Sequence, residues 1–195
     1  MKRALLVALC LAAVVVACGL PSDNAPRQIA DDKVPFELLG PSTTNPPSSA
    51  GGVHVKLYFV DGEQLRAVDR SLPDSEPSTV LNELFKGVTE SDPNGVTTAV
   101  PKDSRVVNIA FDGDTLVVTL NAAFLAIGDP GQKTAFAQVV YTVTELGISG
   151  VRFRAVDANG ANETDVSPST DVGQKPDPRT PLTRGDFATL APKGG

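Results

Sequence analysis

The chain of 195 residues sets 17 lysines and arginines against 23 aspartates and glutamates, a formal net charge of −6. That acidic balance argues against nucleic acid as a partner. One histidine and two cysteines are too few for a zinc site, so no metal and no cofactor is expected.

Met1-Lys2-Arg3 is followed by an uncharged apolar run from Ala4 to Ala17. A basic start, a short apolar core and a small residue before the cut make residues 1–17 a secretory signal peptide. The run falls short of the about 20 residues that a relaxed membrane span needs. Val15-Val16-Ala17-Cys18 resembles a bacterial lipobox. The resemblance implies diacylglycerol on the Cys18 sulfur, cleavage before Cys18, and a lipid anchor on the extracytoplasmic face of the cell membrane. Each buried lipid methylene adds about 0.8 kcal/mol of membrane affinity, so two acyl chains make a lasting anchor. The alternative is an ordinary secretory signal with a chance cysteine. Cleavage also discards Cys10, which leaves no thiol pair for a disulfide.

Residues 18–52 read as a tether. They are rich in Pro, Ser and Thr and carry no apolar period, so they cannot offset the entropy of folding. One apolar patch, Val34 to Leu39, is a candidate to dock on the domain.

The domain is expected over residues 53–160. Val53, Val55, Leu57 and Phe59 alternate with polar neighbours as a strand, and Asp61-Gly62 turns the chain into a second strand from Leu65 to Arg70. In the stretch 76–88, Val80, Leu81, Leu84, Phe85 and Val88 share a helical face between Pro77 and Gly87. Arg105 to Phe111 and Thr115 to Leu120 form a hairpin about Asp112-Gly113. Its inward sets are Val107, Ile109 and Phe111 on one strand and Leu116, Val118 and Leu120 on the other. Asn121 is a candidate cap for a short turn. Residues 132–146 predict the best helix, and Ser149 to Val156 the last strand. Residues 161–195 read as a Pro/Gly-rich tail, partly docked through Leu182 and Phe187. The order β-β-α-β-β-α-β predicts a single α+β domain, a mainly antiparallel sheet with two helices packed on one face.

No catalytic constellation is legible. His54 has no serine or cysteine nucleophile in any motif around it. The aspartates 61, 112, 114, 129 and 157 gather in turns, where Asp serves the backbone. His54, Lys56, Tyr58, Arg152 and Arg154 are expected on the outward face of the sheet, as a basic stripe with an aromatic. They form the candidate interaction face, for an anionic partner or a glycan.

Four stretches resemble the GerMN domain of sporulation and germination proteins, which is also found in envelope lipoproteins of high-GC Gram-positive bacteria. They are Val55-Lys56-Leu57-Tyr58-Phe59, Leu81 to Gly87, Ala99-Val100-Pro101 leading into the 105–120 hairpin, and Gln138-Val139-Val140-Tyr141-Thr142-Val143-Thr144-Glu145. The resemblance implies an α+β module without a catalytic site, acting in envelope assemblies. The expected function is therefore a lipid-anchored envelope lipoprotein that binds a protein partner in cell-wall growth, division or signalling. A peptidoglycan- or glycan-binding lipoprotein is the alternative, and a hydrolase of envelope polymer is a third reading. Tyr58 and Tyr141 are the only tyrosines and there is no tryptophan, which counts against the glycan reading.

Overall fold

The computed structural model describes residues 52–173 and 175–192. The expected signal peptide, Cys18, the patch 34–39 and the tether up to Gly51 lie outside the described residues.

The architecture is α+β, with its strands divided between two sheets rather than gathered in one. Strands β1 (Val53–Asp61) and β2 (Gln64–Leu72) pair antiparallel from Val53↔Leu72 to Asp61↔Gln64. Gly62 closes the turn at φ 65°, a left-handed angle that residues with a Cβ adopt at a cost. A two-residue strand β3 (Val96–Thr97) adds to the free edge of β1 at Val60 and Asp61. The second sheet runs in the order β4 (Val106–Asp112), β5 (Thr115–Leu120), β6 (Gly150–Val156), β7 (Glu163–Val166). Its pairs are antiparallel except β5 and β6, which are parallel. A parallel pair needs a crossover, and α2 (Gly131–Thr144) lies within it.

Helix α1 (Pro77–Lys86) has Pro77 in its first turn and Gly87 as its stop, with Val80, Leu81 and Leu84 buried. Val88, expected on the same face, is exposed because the helix has already ended. Helix α2 is enclosed along most of its length. Every residue from Ala135 to Val143 is buried, including Gln138 and Thr142. Its β-branched residues lower intrinsic helix propensity, and enclosure by β1, β6, α1 and the C-terminal segment holds it.

Four phenylalanine rings run through the core. Phe85 stacks on Phe124 at 5.7 Å, Phe124 meets Phe136 edge-on at 5.0 Å, and Phe136 meets Phe153 edge-on at 4.6 Å. Such pairs add about 0.5–1.5 kcal/mol each beyond the area they bury.

The chain returns to this core after β7. Leu182 bridges Val151 through two backbone hydrogen bonds of 2.9 and 2.8 Å. A Cβ on Gly150 would sit 2.9 Å from Pro181 Cβ, so the close approach of the returning chain needs glycine there. A kinked 3-10 segment (Arg184–Leu190) follows, opened by a capping box between Thr183 and Asp186, and Phe187 in it is fully buried.

Two local expectations are corrected. Asn121 does not cap the 3-10 turn that follows it (Ala122–Leu125). Its Oδ1 accepts the Arg105 N–H at 2.9 Å and its Nδ2 donates to the Asp103 carbonyl at 2.9 Å, so it fixes the entry to β4. In β4 the alternation of Val107, Ile109 and Phe111 does not produce a buried face. A register shift between Val106 and Asn108 breaks the alternation, and β4 is an edge strand. Val107 is 46% and Phe111 60% exposed, while Leu116, the cross-strand partner of Phe111, is fully buried.

Candidate functional site

The five residues expected to form one outward face are placed on two different sheets. His54, Lys56 and Tyr58 lie on β1; Arg152 and Arg154 lie on β6. His54 and Lys56 are exposed, but Tyr58 is buried. Arg152 pairs with Asp112 at 2.5 Å, and Arg154 pairs with Glu163 at 2.6 Å and Asp165 at 3.2 Å. Both arginines are therefore neutralised within their own sheet. The basic stripe is not assembled, because outward alternation along a strand says nothing about which strands are neighbours.

Tyr58 turns inward for a specific reason: α2 lies along the edge of β1 that β2 does not occupy. Thr142 Oγ1 accepts the Tyr58 N–H at 3.1 Å, and Gln138 Nε2 donates to the Tyr58 carbonyl at 2.8 Å. Residues four apart on a helix share a face. The pair thus replaces the strand that would otherwise satisfy that edge. Gln138 Oε1 also accepts the Ala99 N–H at 2.7 Å, which ties β1, α2 and the segment after β3 together.

Above this joint the Arg184 guanidinium lies between two rings, 5.3 Å from the Tyr58 centroid and 5.1 Å from that of Tyr141. It donates to Thr144 Oγ1 at 2.7 Å, the Tyr141 carbonyl at 3.0 Å and Glu145 Oε2 at 2.6 Å. A cation over the last carbonyls of α2 also complements the helix dipole. Tyr58 Oη donates to Glu145 Oε2 at 2.9 Å. The hydrogen bond from Arg184 holds the Glu145 carboxyl below the ordinary value, against the opposing effect of burial and with help from Tyr58. Burial first, then the bond to Glu145, raises the Tyr58 phenol; burial raises that of Tyr141. All three shifts move away from neutrality, so the cluster is built to stay in one protonation state rather than to shuttle protons.

His54 faces a shallow depression that Lys56, Asp69, Ser75 and Glu145 also line. A serine, a histidine and an aspartate thus share one surface, but no hydrogen bond links them among the described residues. A nucleophile needs its base within hydrogen-bond reach, and that arrangement is missing here. The Asp157 carboxylate accepts the N–H groups of Asn159 and Ala161 and the Asn162 amide. Its acceptor sites serve the turn.

The outer edge of β4 is unpaired. Among the described residues, the backbone of 106–112 hydrogen-bonds only to β5, and the strand's outward N–H and C=O groups are open. No charged residue stands between Val106 and Phe111. The sequence pattern hid this edge because its apolar alternation reads as core. Arg184 was also missed, although the Thr183-x-x-Asp186 capping signature marks its segment as structured.

The described residues thus form a small two-sheet α+β module in which the stretch 138–145, at the C-terminal end of α2, joins β1, the segment after β3 and the C-terminal segment. Residues 56–161, just over half the chain, match the family described as Germane, sporulation and spore germination, and the chain belongs to that family. The tandem GerMN domains of the sporulation protein GerM from Bacillus subtilis match it with a TM-score of 0.51 at 24% identity, over 69% of this chain and 47% of that one. The chain therefore spans about half the length of that tandem protein. The first GerMN domain of the same protein gives a TM-score of 0.48 at 23% identity, over 69% and 96% of the two chains. At 24% identity the likeness to the tandem domains is one of fold. No curated protein matches the sequence.

Proposed function

We propose that the chain is an envelope lipoprotein, anchored through Cys18 on the extracytoplasmic face of the cell membrane, whose GerMN-type module binds a protein partner and carries no catalytic activity. The observation that supports this most directly is the open β4 edge. An edge strand with free backbone groups and apolar side chains is a template for another strand. Val107 and Phe111 would add apolar burial to the main-chain hydrogen bonds of such a contact. The glycan alternative has less behind it, because both tyrosines are buried and no aromatic platform is offered by them. The hydrolase reading lacks a linked base and nucleophile at His54.

The test is a photo-crosslinking residue placed at Phe111 in the full chain, in intact cells, with the same residue at exposed Arg66 on β2 as control. A protein adduct from position 111 and none from position 66 is the expected result. Equal labelling at both positions, or adducts with wall polymer alone, would refute the reading.

A further inference from the structure

We propose that the occupant of the β4 edge is the β4 edge of a second copy of this chain, paired antiparallel about a two-fold axis so that two four-stranded sheets become one continuous sheet. The inference rests on β4 being the interaction surface and names what covers it.

The edges of the two sheets are treated differently. β2 carries Arg66, Asp69 and Arg70, and β7 carries Glu163 and Asp165 in a strand of four residues. Charge and shortness are the usual protections against unwanted pairing. β4 has seven residues, and neither a charge nor a proline from Val106 to Phe111. Its apolar side chains at Val107 and Phe111 stay exposed in the single chain.

The two ends of β4 carry opposite charge, and among the described residues the single chain leaves Lys102, Arg105 and Asp114 without ion pairs. Lys102 and Arg105 stand before the strand, around a lone Asp103, and neither forms an ion pair among the described residues. Arg66, Arg70, Arg152, Arg154 and Arg184 do form ion pairs, whereas Arg179, like Lys102 and Arg105, does not. Asp112 and Asp114 stand at the other end; Asp112 pairs with Arg152, and Asp114 is exposed without an ion pair. A second β4 laid parallel would set like ends together. Laid antiparallel, it sets the basic end of each copy against the acidic end of the other, twice, and carries each Phe111 toward Val107 of the opposite copy. A surface complementary to itself in one orientation is what a two-fold interface requires. The bulge near Val107 lies at one end of the strand and leaves 108–112 regular.

One strand pair buries less than the about 1,200–2,000 Å² of a standard stable interface, so the dimer is weak in dilute solution. Anchoring both copies to one membrane would raise their effective concentration and favour the pair.

Sedimentation equilibrium of the full chain in density-matched detergent tests this. The average mass should rise from one chain to two with concentration. Phe111→Lys should weaken the association by about tenfold or more. Arg105→Glu should weaken it as well, and adding Asp114→Lys should recover it; circular dichroism checks that each variant keeps the fold. A one-chain mass at every concentration, or a dimer indifferent to these changes, would overturn the proposal. If that result accompanies a different protein crosslinked at position 111, only the second copy is refuted and β4 stands as a binding edge. If it accompanies no adduct at all, the binding reading fails too.

Discussion

Gln138 is a polar side chain fully enclosed in a mainly apolar stretch of helix, and it serves three elements at once. A buried amide is tolerated when its groups are matched, and the expense appears when one side is removed. Gln138→Ala would strand the Tyr58 carbonyl and the Ala99 N–H in the core. Each unmatched group costs about 1–3 kcal/mol, so a loss of about 2–5 kcal/mol is expected, read as a lower urea midpoint with an unchanged slope. Gln138→Glu keeps the size but turns a donor toward Tyr58 into an acceptor, and should destabilise the protein at neutral pH as well. A midpoint within error of the parent for both variants would mean that the joint does not carry the edge of β1. The sequence marks Gln138, Tyr141 and Thr142 as distinctive. It does not reveal their roles, because a hydrogen bond across 80 residues leaves no local signal.

At the scale of elements, what was legible follows from how much of each element is covered. β5 alternates and is buried as its pattern predicts, because helices and neighbouring strands cover it. β4 carries the same pattern and is largely exposed, because a strand at the end of a sheet has no strand on its outer side and only Val106 and Ile109 reach the core. Periodicity reports an apolar face, whereas strand order decides whether that face is covered. The C-terminal segment shows the converse. Its composition reads as a tail docked only in part, through Leu182 and Phe187; these two and Arg184 join it to β6, α2 and β1. It is expected to be part of the cooperative fold although it lies beyond the family-matched residues. Phe187→Ala should cost about 3–5 kcal/mol, in line with buried phenylalanine truncations. Thr183→Ala, which removes the cap alone, should cost about 1 kcal/mol. Calorimetry would show both as shifts of a single transition. A separate low-temperature transition in Phe187→Ala, with the main one unmoved, would instead make the segment an independent attachment.

Three depressed carboxylates tie the molecule together, and they give the whole chain a defined response to acid. Arg70, largely buried, joins β2 to Asp92 and to Glu83 of α1. Lys133 of α2 pairs with Asp171, and Arg184 joins the C-terminal segment to Glu145. For Asp92, burial pushes the carboxyl up but is outweighed by the Thr89 N–H and by Arg70. For Asp171, burial is likewise outweighed by Lys133 and Thr189. For Glu145, the Arg184 hydrogen bond leads. All three sit below their ordinary values of 3.8 for aspartate and 4.5 for glutamate. The unfolded chain therefore takes up protons at higher pH than the folded one. The stability these groups contribute is present in full above the ordinary carboxylate range and is lost as pH falls through their folded values. The urea midpoint should be nearly level from about pH 7 to pH 5.5 and fall steeply below about pH 4.5. Glu145→Gln removes one of the three, so its midpoint should be lower at pH 7 and its decline in acid shallower. Exposed partners are screened by solvent, so among single replacements the largest change in acid slope should come from Asp92→Asn, whose ion pair is the most enclosed of the three. Parallel acid declines for the parent and both variants would show that these ties are not what holds the two sheets, the helices and the returning chain in one cooperative unit.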